Sequence, residues 1–325
     1  MTSGKDLVTT SPAAAALAHA DLVRRAAEYA QSGKAENTRK AYAAGWRAFL
    51  AFCEAHGAPA LPATSATVAA FLTDLATSGK SVSTVNSYLT AVKFEHAQAG
   101  QINPCDHPLV AQIMAGIRRQ HGRPPAKKDA VDLDELRALV QALPPTLAGQ
   151  RDKALMLVGW AGAFRRSELT ALDRSDLRIT DVLKITLRKS KTDQTGQGKV
   201  KVICRLADRD LCPVVALEAW LSAAGITSGP IWRRVDRNGK ALESRLTPQS
   251  VALILKRAGA QIGADTSALA GHSLRRGFIT AAVMQGADPL DIAAQTGHKT
   301  LDTLRAYVAD AGAQQVRAVK AAFED

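Results

Sequence analysis

The sequence predicts a mainly α-helical protein with a small β-hairpin or sheet: an N-terminal helical bundle followed by a larger mixed α/β domain. Three observations predict it. Apolar residues recur every three or four positions from about residue 21 to residue 118. A polar, proline-containing, basic stretch running from Arg118 to Lys128 then interrupts the pattern. Beyond it, two short alternating runs near residues 183–187 and 200–204 break an otherwise helical second half.

Residues 1–20 read as a flexible N-terminus. Tyr42, Trp46, Phe49, Leu50 and Cys53 form one stripe of a helix, with Asn37 or Thr38 placed to cap it and Gly57-Ala58-Pro59 to end it. Val68, Phe71, Leu72 and Leu75 form a second stripe, bounded by Thr64/Ser65 and Gly79. Val85, Tyr88, Leu89 and Val92 form a third, which stops at Gly100, and Pro108 to Arg119 forms a further short helix. Residues 21–120 are therefore a helical domain of ordinary size. Residues 121–131 form a basic interdomain linker, and Arg118, Arg119, Arg123, Lys127 and Lys128 are its candidate contacts to a phosphate backbone.

The second domain spans residues 132–309. Asp132 with Glu135 makes a capping-box-like start. Leu155, Leu157 and Val158 lie in a nearly all-apolar segment that reads as a buried helix. Leu183, Ile185 and Leu187 alternate with polar residues as a strand, Val200, Val202 and Cys204 do likewise, and Thr195-Gly196-Gln197-Gly198 turns between them. Helices follow at Pro213–Ala224, Thr247–Gly259, Ser273–Gln285 and Pro289–Thr296, with Gly286 and Gly297 as stops. In residues 310–325, Val316, Val319 and Phe323 pattern a short amphipathic tail helix.

Composition narrows the function. The 325 residues are 46% hydrophobic and 22% charged, as in a soluble globular protein, and carry a formal charge of +12. Residues 1–130 hold 14 basic against 9 acidic side chains, and residues 131–325 hold 28 against 21. Both halves share the basic excess, which favours a polyanionic partner contacted by both. Cys53, Cys105, Cys204 and Cys212 form no metal-binding or redox pair and read as buried thiols in a reducing cytosol. There is no membrane-length apolar run, no signal peptide, no P-loop and no acidic cluster suited to catalytic magnesium. The expectation is a cytoplasmic, nucleoid-associated protein needing no cofactor and no metal.

The chemistry concentrates near the C-terminus. His272-Ser273-Leu274-Arg275 is followed by Gly297-His298 and, nine positions after His298, by Tyr307. Arg165 lies upstream in Ala163-Phe164-Arg165-Arg166-Ser167-Glu168-Leu169. Breaking a phosphodiester without a metal needs fixed cations on the non-bridging oxygens, and arginine's planar, permanently charged fork suits them. It also needs a nucleophile and groups that exchange protons with it and with the leaving oxygen, work suited to a phenol, imidazoles and a lysine.

In this order and spacing the residues resemble the tyrosine recombinases of the phage integrase family, in a Cre-like or Xer-like style. That family shows an Arg in a Gly-x-Arg-x-x-Glu-Leu-like turn, a hairpin Lys, His-x-x-Arg, Gly-His or Gly-Trp, and a Tyr nine residues later. The matching positions are Arg165, Lys191, His272, Arg275, His298 and Tyr307, with Glu168 in support. The resemblance covers the catalytic half tightly and the N-terminal half, expected to be a SAM-like core-binding bundle, by architecture. One departure is Ala163, where the family usually has glycine.

The resemblance implies that Arg165 and Arg275 hold the scissile phosphate, with Arg166 and Arg276 as neighbouring decoys. It implies that Lys191, with Lys189 as rival, protonates the leaving 5′-oxygen, that His272 exchanges a proton with the nucleophile, and that His298 hydrogen-bonds the phosphate. Tyr307 would form a 3′-phosphotyrosine whose preserved ester energy allows rejoining without ATP. It further implies duplex DNA with inverted-repeat recombination sites as partner. A homotetramer would act on two sites through a Holliday junction, as monomer or dimer otherwise, and the tail would dock on a neighbouring protomer or fold back. The rival readings are a type IB topoisomerase-like relaxase and a catalytically silent DNA-binding protein on the same fold.

Overall fold

The computed structural model describes residues 19, 21–25, 29, 36–123, 129–188, 198–298 and 300. The chain divides into two compact units between Pro125 and Ala126.

In the first unit, α1 (Glu36–Ala55), α2 (Ser65–Thr77), α3 (Val82–Gln98) and α4 (Pro108–His121) enclose a core containing Phe49, Phe71, Leu72, Val85, Val92 and Met114. The stripes read from the sequence supply all of these but Met114, whereas Leu50 of the first stripe is exposed. Phe49 and Phe71 meet edge to face with centroids 5.1 Å apart. Thr64 caps α2 and Ser81 caps α3, each accepting a backbone N–H three residues on. Asn37 and Thr38, read as caps of the first helix, lie inside α1, because its helical pattern reaches back to Glu36. Gly45 lets α1 meet α3, since a Cβ there would stand 2.8 Å from that of Ala91. His96, fully buried, accepts the Ala63 N–H at Nε2 and donates from Nδ1 to the Val92 carbonyl. It is a neutral structural histidine.

Among the described residues, the second unit is helical around two small sheets. Its elements are α5 (Leu133–Gln141), α6 (Leu147–Ala161), α7 (Arg166–Thr170), β1 (Leu177–Ile179), β2 (Val182–Leu187), β3 (Lys199–Cys204), α8 (Pro213–Ala223), β4 (Arg233–Val235), β5 (Ala241–Arg245), α9 (Pro248–Gln261), α10 (Ser273–Met284) and α11 (Pro289–Thr296). β1, β2 and β3 form an antiparallel sheet in that order, and β4 pairs β5. The sequence reading had only the β2–β3 hairpin; β1 and the β4–β5 pair are too short to show alternation. The core centres on α6, with Leu155, Met156 and Val158 packed among Leu183, Ile185, Trp220, Trp232 and Leu255. Asp132 caps α5 as expected, accepting from the Glu135 N–H at 2.8 Å.

The phase of β3 differs from the reading. Opposite residues of paired strands share a face, and β2 turns Leu183, Ile185 and Leu187 inward. Their partners are Ile203, Lys201 and Lys199. Val200, Val202 and Cys204 therefore face outward, and a lysine enters the core. The inversion turns Cys204 outward, and the thiol reading is corrected accordingly: Cys53 and Cys212 are buried, Cys105 is half-buried and Cys204 is exposed.

Residues 129–131 are bound to the N-terminal end of α10. The Asp129 and Val131 N–H groups donate to the Ala268 and Ser273 carbonyls, and the Val131 carbonyl accepts from Trp160 Nε1 at 2.9 Å. Gly277 makes this approach possible, since a Cβ there would lie 1.7 Å from the Val131 oxygen. The segment thereby anchors α10, which carries Arg275.

Candidate functional site

Three distant segments of the second unit converge. The first is the turn between α6 and α7. Gly162 ends α6 with the Phe164 ring folded over it, and Ala163 takes φ +46°, the one non-glycine residue at positive φ among those described. A glycine at this position would be free of the left-handed penalty on a Cβ, which explains why it suits the turn. The turn delivers Arg165 to the N-cap of α7. There the Arg165 N–H donates to Glu168 Oε2 at 3.0 Å, and its Nη1 donates to Oε1 at 2.6 Å. Glu168, whose side chain is 3% exposed, thus fixes both ends of Arg165.

The second segment is α10. Arg275 lies on its first turn and is buried. Its Nη1 donates to the Ala163 carbonyl at 2.8 Å and the Thr296 carbonyl at 2.7 Å, and its Nη2 to His298 Nε2 at 2.9 Å. His272 occupies the N-cap position of α10 and is exposed. Of the neighbouring arginines, Arg166 is exposed, and its stem lies along Gly271.

The third segment is the end of α11. Gly297 terminates the helix at φ +75°, as the sequence suggested, and His298 follows. The His298 tautomer follows from its partners. A guanidinium cannot accept, so Nε2 bears the lone pair and Nδ1 the proton. Nδ1 stands 2.9 Å from Thr296 Oγ1, whose own proton goes to the Ile292 carbonyl at 2.7 Å. Burial, then Arg275, Arg165, Lys201 and Lys199, push the His298 pKa down to about 4, so the ring is neutral at physiological pH.

The structure adds residues that sequence reasoning missed. Lys199 is half-buried; burial and the charges of Arg275 and Arg165 lower its pKa, opposed by Glu168. Lys201 is buried against the Phe164 ring, and burial foremost brings its pKa down to about 7. Gln295 and Thr296 supply carbonyls to the cluster. The signal for the lysines was a Lys-x-Lys pair on one strand face, masked by the alternating Val200 and Val202.

Not every expected residue is in view. Lys191 with its rival Lys189, Tyr307, Lys127, Lys128 and the tail lie outside the described residues. Arg118 and Arg119 are exposed on the last turn of α4, and Arg123 is exposed just beyond it. Among the described residues no group of His, Cys, Asp and Glu is arranged to hold a metal ion, and no helix is long and apolar enough to cross a membrane.

The phage integrase family profile matches residues 130–314, more than half the chain, and that of the phage integrase N-terminal SAM-like domain matches residues 21–96. The chain belongs to the phage integrase family. As a member it is a tyrosine recombinase, a site-specific enzyme of DNA cleavage and rejoining. It is 38% identical over 283 residues to an integrase/recombinase XerD homolog of Selenomonas ruminantium, covering 86% of this chain and 83% of that protein. It is 28% identical to the tyrosine recombinase XerC of Rhodospirillum centenum, covering 85% and 78%. In fold it resembles a XerH site-specific recombinase bound to its palindromic difH substrate (TM-score 0.58, 16% identity, 79% of this chain and 72% of that one). It also resembles a lambda integrase fragment dimer bound to a core site (TM-score 0.58, 17% identity, 89% and 94%). The mainly helical integrase fold, with its SAM-like N-terminal part, is thus that of the family.

Proposed function

We propose that this recombinase cuts duplex DNA through a covalent 3′-phosphotyrosine on Tyr307, with Arg165 and Arg275 as the phosphate-binding pair. The observation that carries the reading is the convergence of Arg165, Arg275 and His298 from three separate segments, with Arg275 bonded both to the Arg165 turn and to His298. Two guanidiniums held this rigidly are pre-organised donors for the charge a phosphoryl transfer develops, and they cost little reorganisation. Glu168 sets the Arg165 fork. His298, neutral with Nε2 accepting from Arg275 and Nδ1 donating to Thr296, has no N–H left for the phosphate and instead orients the Arg275 fork.

Tyr307 oxygen attacks phosphorus, and the bond to the 5′-oxygen breaks. Lys191 gives the leaving oxygen its proton, and His272 takes the phenol's proton. The ester energy is kept in the phosphotyrosine, so an incoming 5′-hydroxyl reverses the step without ATP, and the fixed cations do the work otherwise left to a metal. Strand exchange through a Holliday junction then requires two sites and a homotetramer. The basic residues Arg118, Arg119, Arg123, Lys127 and Lys128 follow the phosphate backbone between a DNA-binding domain at residues 21–120 and a catalytic domain at residues 132–309.

The test is trapping. Wild-type and Tyr307→Phe proteins are incubated with nicked duplexes drawn from the regions flanking the gene. An SDS-stable adduct with wild type alone is expected. A Tyr307→Phe adduct equal to wild type would overturn the assignment, and binding without any wild-type adduct would favour the silent DNA-binding reading.

A further inference from the structure

Lys201 takes no part in this mechanism, yet it is a cation 1% exposed in the core. Its Nζ donates to the Gly162 carbonyl at 2.5 Å and to the Gln295 carbonyl, and stands 4.8 Å from the centroid of the Phe164 ring. Both carbonyls are at helix ends: Gly162 is the C-cap of α6, and Gln295 lies in the last turn of α11. Such carbonyls lack intrahelical partners and carry the negative end of the helix dipole. Arg275 spans the adjacent pair, Ala163 and Thr296. Two consecutive carbonyls on one segment are therefore tied to two consecutive carbonyls on the other by two cations side by side.

We propose that Lys201 is a positioning residue for strand cleavage: it holds the 162–165 turn and the 295–298 turn at fixed separation, so Arg275 and His298 stay aligned when phosphate engages Arg275. The proposal rests on the reading of Arg165 and Arg275 as the phosphate-binding pair. Arg275 has two duties, tying these segments and binding phosphate. A phosphate drawing on its donors weakens the tie. Lys201 reaches both segments from β3, behind the Phe164 ring, and can keep the scaffold while Arg275 serves the substrate. Gln295 reinforces the junction, its Nε2 donating to the Ala161 carbonyl at 2.9 Å and the Val202 carbonyl at 3.3 Å.

The charge of Lys201 is finely balanced. Glu168 on α7 favours the ammonium, and so do the two carbonyls and the ring face. Arg275 on α10, Lys199 on β3 itself and Arg165 ahead of α7 oppose it, with burial the largest opposing effect. His298 after α11 is neutral there. Raising the pH therefore strips the ammonium, leaving a weaker, uncharged tie, whereas an arginine would keep its charge.

The experiment uses full-length protein and the nicked duplex recovered by trapping. Single-turnover cleavage at saturating protein, DNA affinity and thermal unfolding are measured for wild type, Lys201→Met, Lys201→Arg and Arg275→Ala. A misplacement of about 1 Å costs on the order of 100-fold in rate. Lys201→Met is expected to lose about that much while its DNA affinity stays within about twofold, and Lys201→Arg to recover part of the loss. Wild-type cleavage at Lys201→Met would overturn the proposal; so would rate, affinity and melting temperature falling together without rescue by arginine. Should Lys201→Met not fold, the ratio of rates at high and neutral pH decides. It is expected to fall less for Lys201→Arg than for wild type, and equal ratios overturn the proposal. If wild type forms no adduct, or Arg275→Ala cleaves normally, the phosphate-binding reading fails instead.

Discussion

Glu168 offers the sharpest test of how the site is held. Its two oxygens take one hydrogen bond each from the backbone and the guanidinium of Arg165, and its side chain is 3% exposed against 17% for Arg165. Glu168→Gln keeps the shape and one acceptor. It removes the charge and turns an amide NH2 toward a donor, so one of the two bonds is lost. A hydrogen bond to a charged group contributes about 1.5–3 kcal/mol, and removing one partner of a buried ion pair costs about 3–5 kcal/mol. The substitution, milder than full removal, is therefore expected to cost about 2–3 kcal/mol. For a unit of this size that is a fall of roughly 5–10 °C in the melting temperature. Urea and thermal unfolding measure it. Single-turnover cleavage should fall by roughly 10-fold or more, since Arg165 loses its orientation at the phosphate. Unfolding within about 0.5 kcal/mol of wild type, together with an unchanged cleavage rate, would refute the reasoning.

Further outcomes follow from the same geometry. Ala163→Gly removes a Cβ from a left-handed backbone position, so it is expected to leave cleavage intact and raise the urea midpoint by roughly 0.5–1 kcal/mol equivalent. Thr296→Val deletes the acceptor that fixes the His298 tautomer in a buried position, at a cost of about 1–3 kcal/mol. Cleavage should slow about tenfold, for about 1.4 kcal/mol of lost transition-state binding, while gel-shift affinity stays unchanged. His298 has a depressed folded pKa, about 4 against 6.5. Its neutral form contributes stability that is full above the unfolded value and is lost as pH falls from 6.5 toward 4. His298→Gln should flatten that acid limb in urea titrations at successive pH values, and a limb of unchanged depth would count against the neutral, buried ring.

Much of the fold was legible because the helices announce themselves. The stripes through Phe49, Phe71 and Val92 became the N-terminal core, and Thr64, Asp132 and Gly297 stood where caps and stops belong. The β3 phase was hidden because Val200 and Val202 gave the stronger apolar signal. Only pairing with β2 reveals that Lys201 faces Ile185 across the ladder and must point inward. The arginines were legible as residue types at a spacing. The partners that make them a site were not: Glu168 by its neighbourly offset, but the Ala163, Gln295 and Thr296 carbonyls only in three dimensions. Backbone acceptors have no sequence signature, and the strained φ at Ala163 shows only where the chain is folded.

The central claim is that Tyr307 carries the broken strand. The most direct measurement isolates the wild-type adduct, digests it and maps the DNA-bearing peptide by mass spectrometry, while the other DNA end is labelled with a polynucleotide kinase. The account predicts a 3′-phosphate on Tyr307 and a 5′-hydroxyl that accepts label without phosphatase treatment. A different modified residue, or a 5′-end blocked by phosphate, would contradict it.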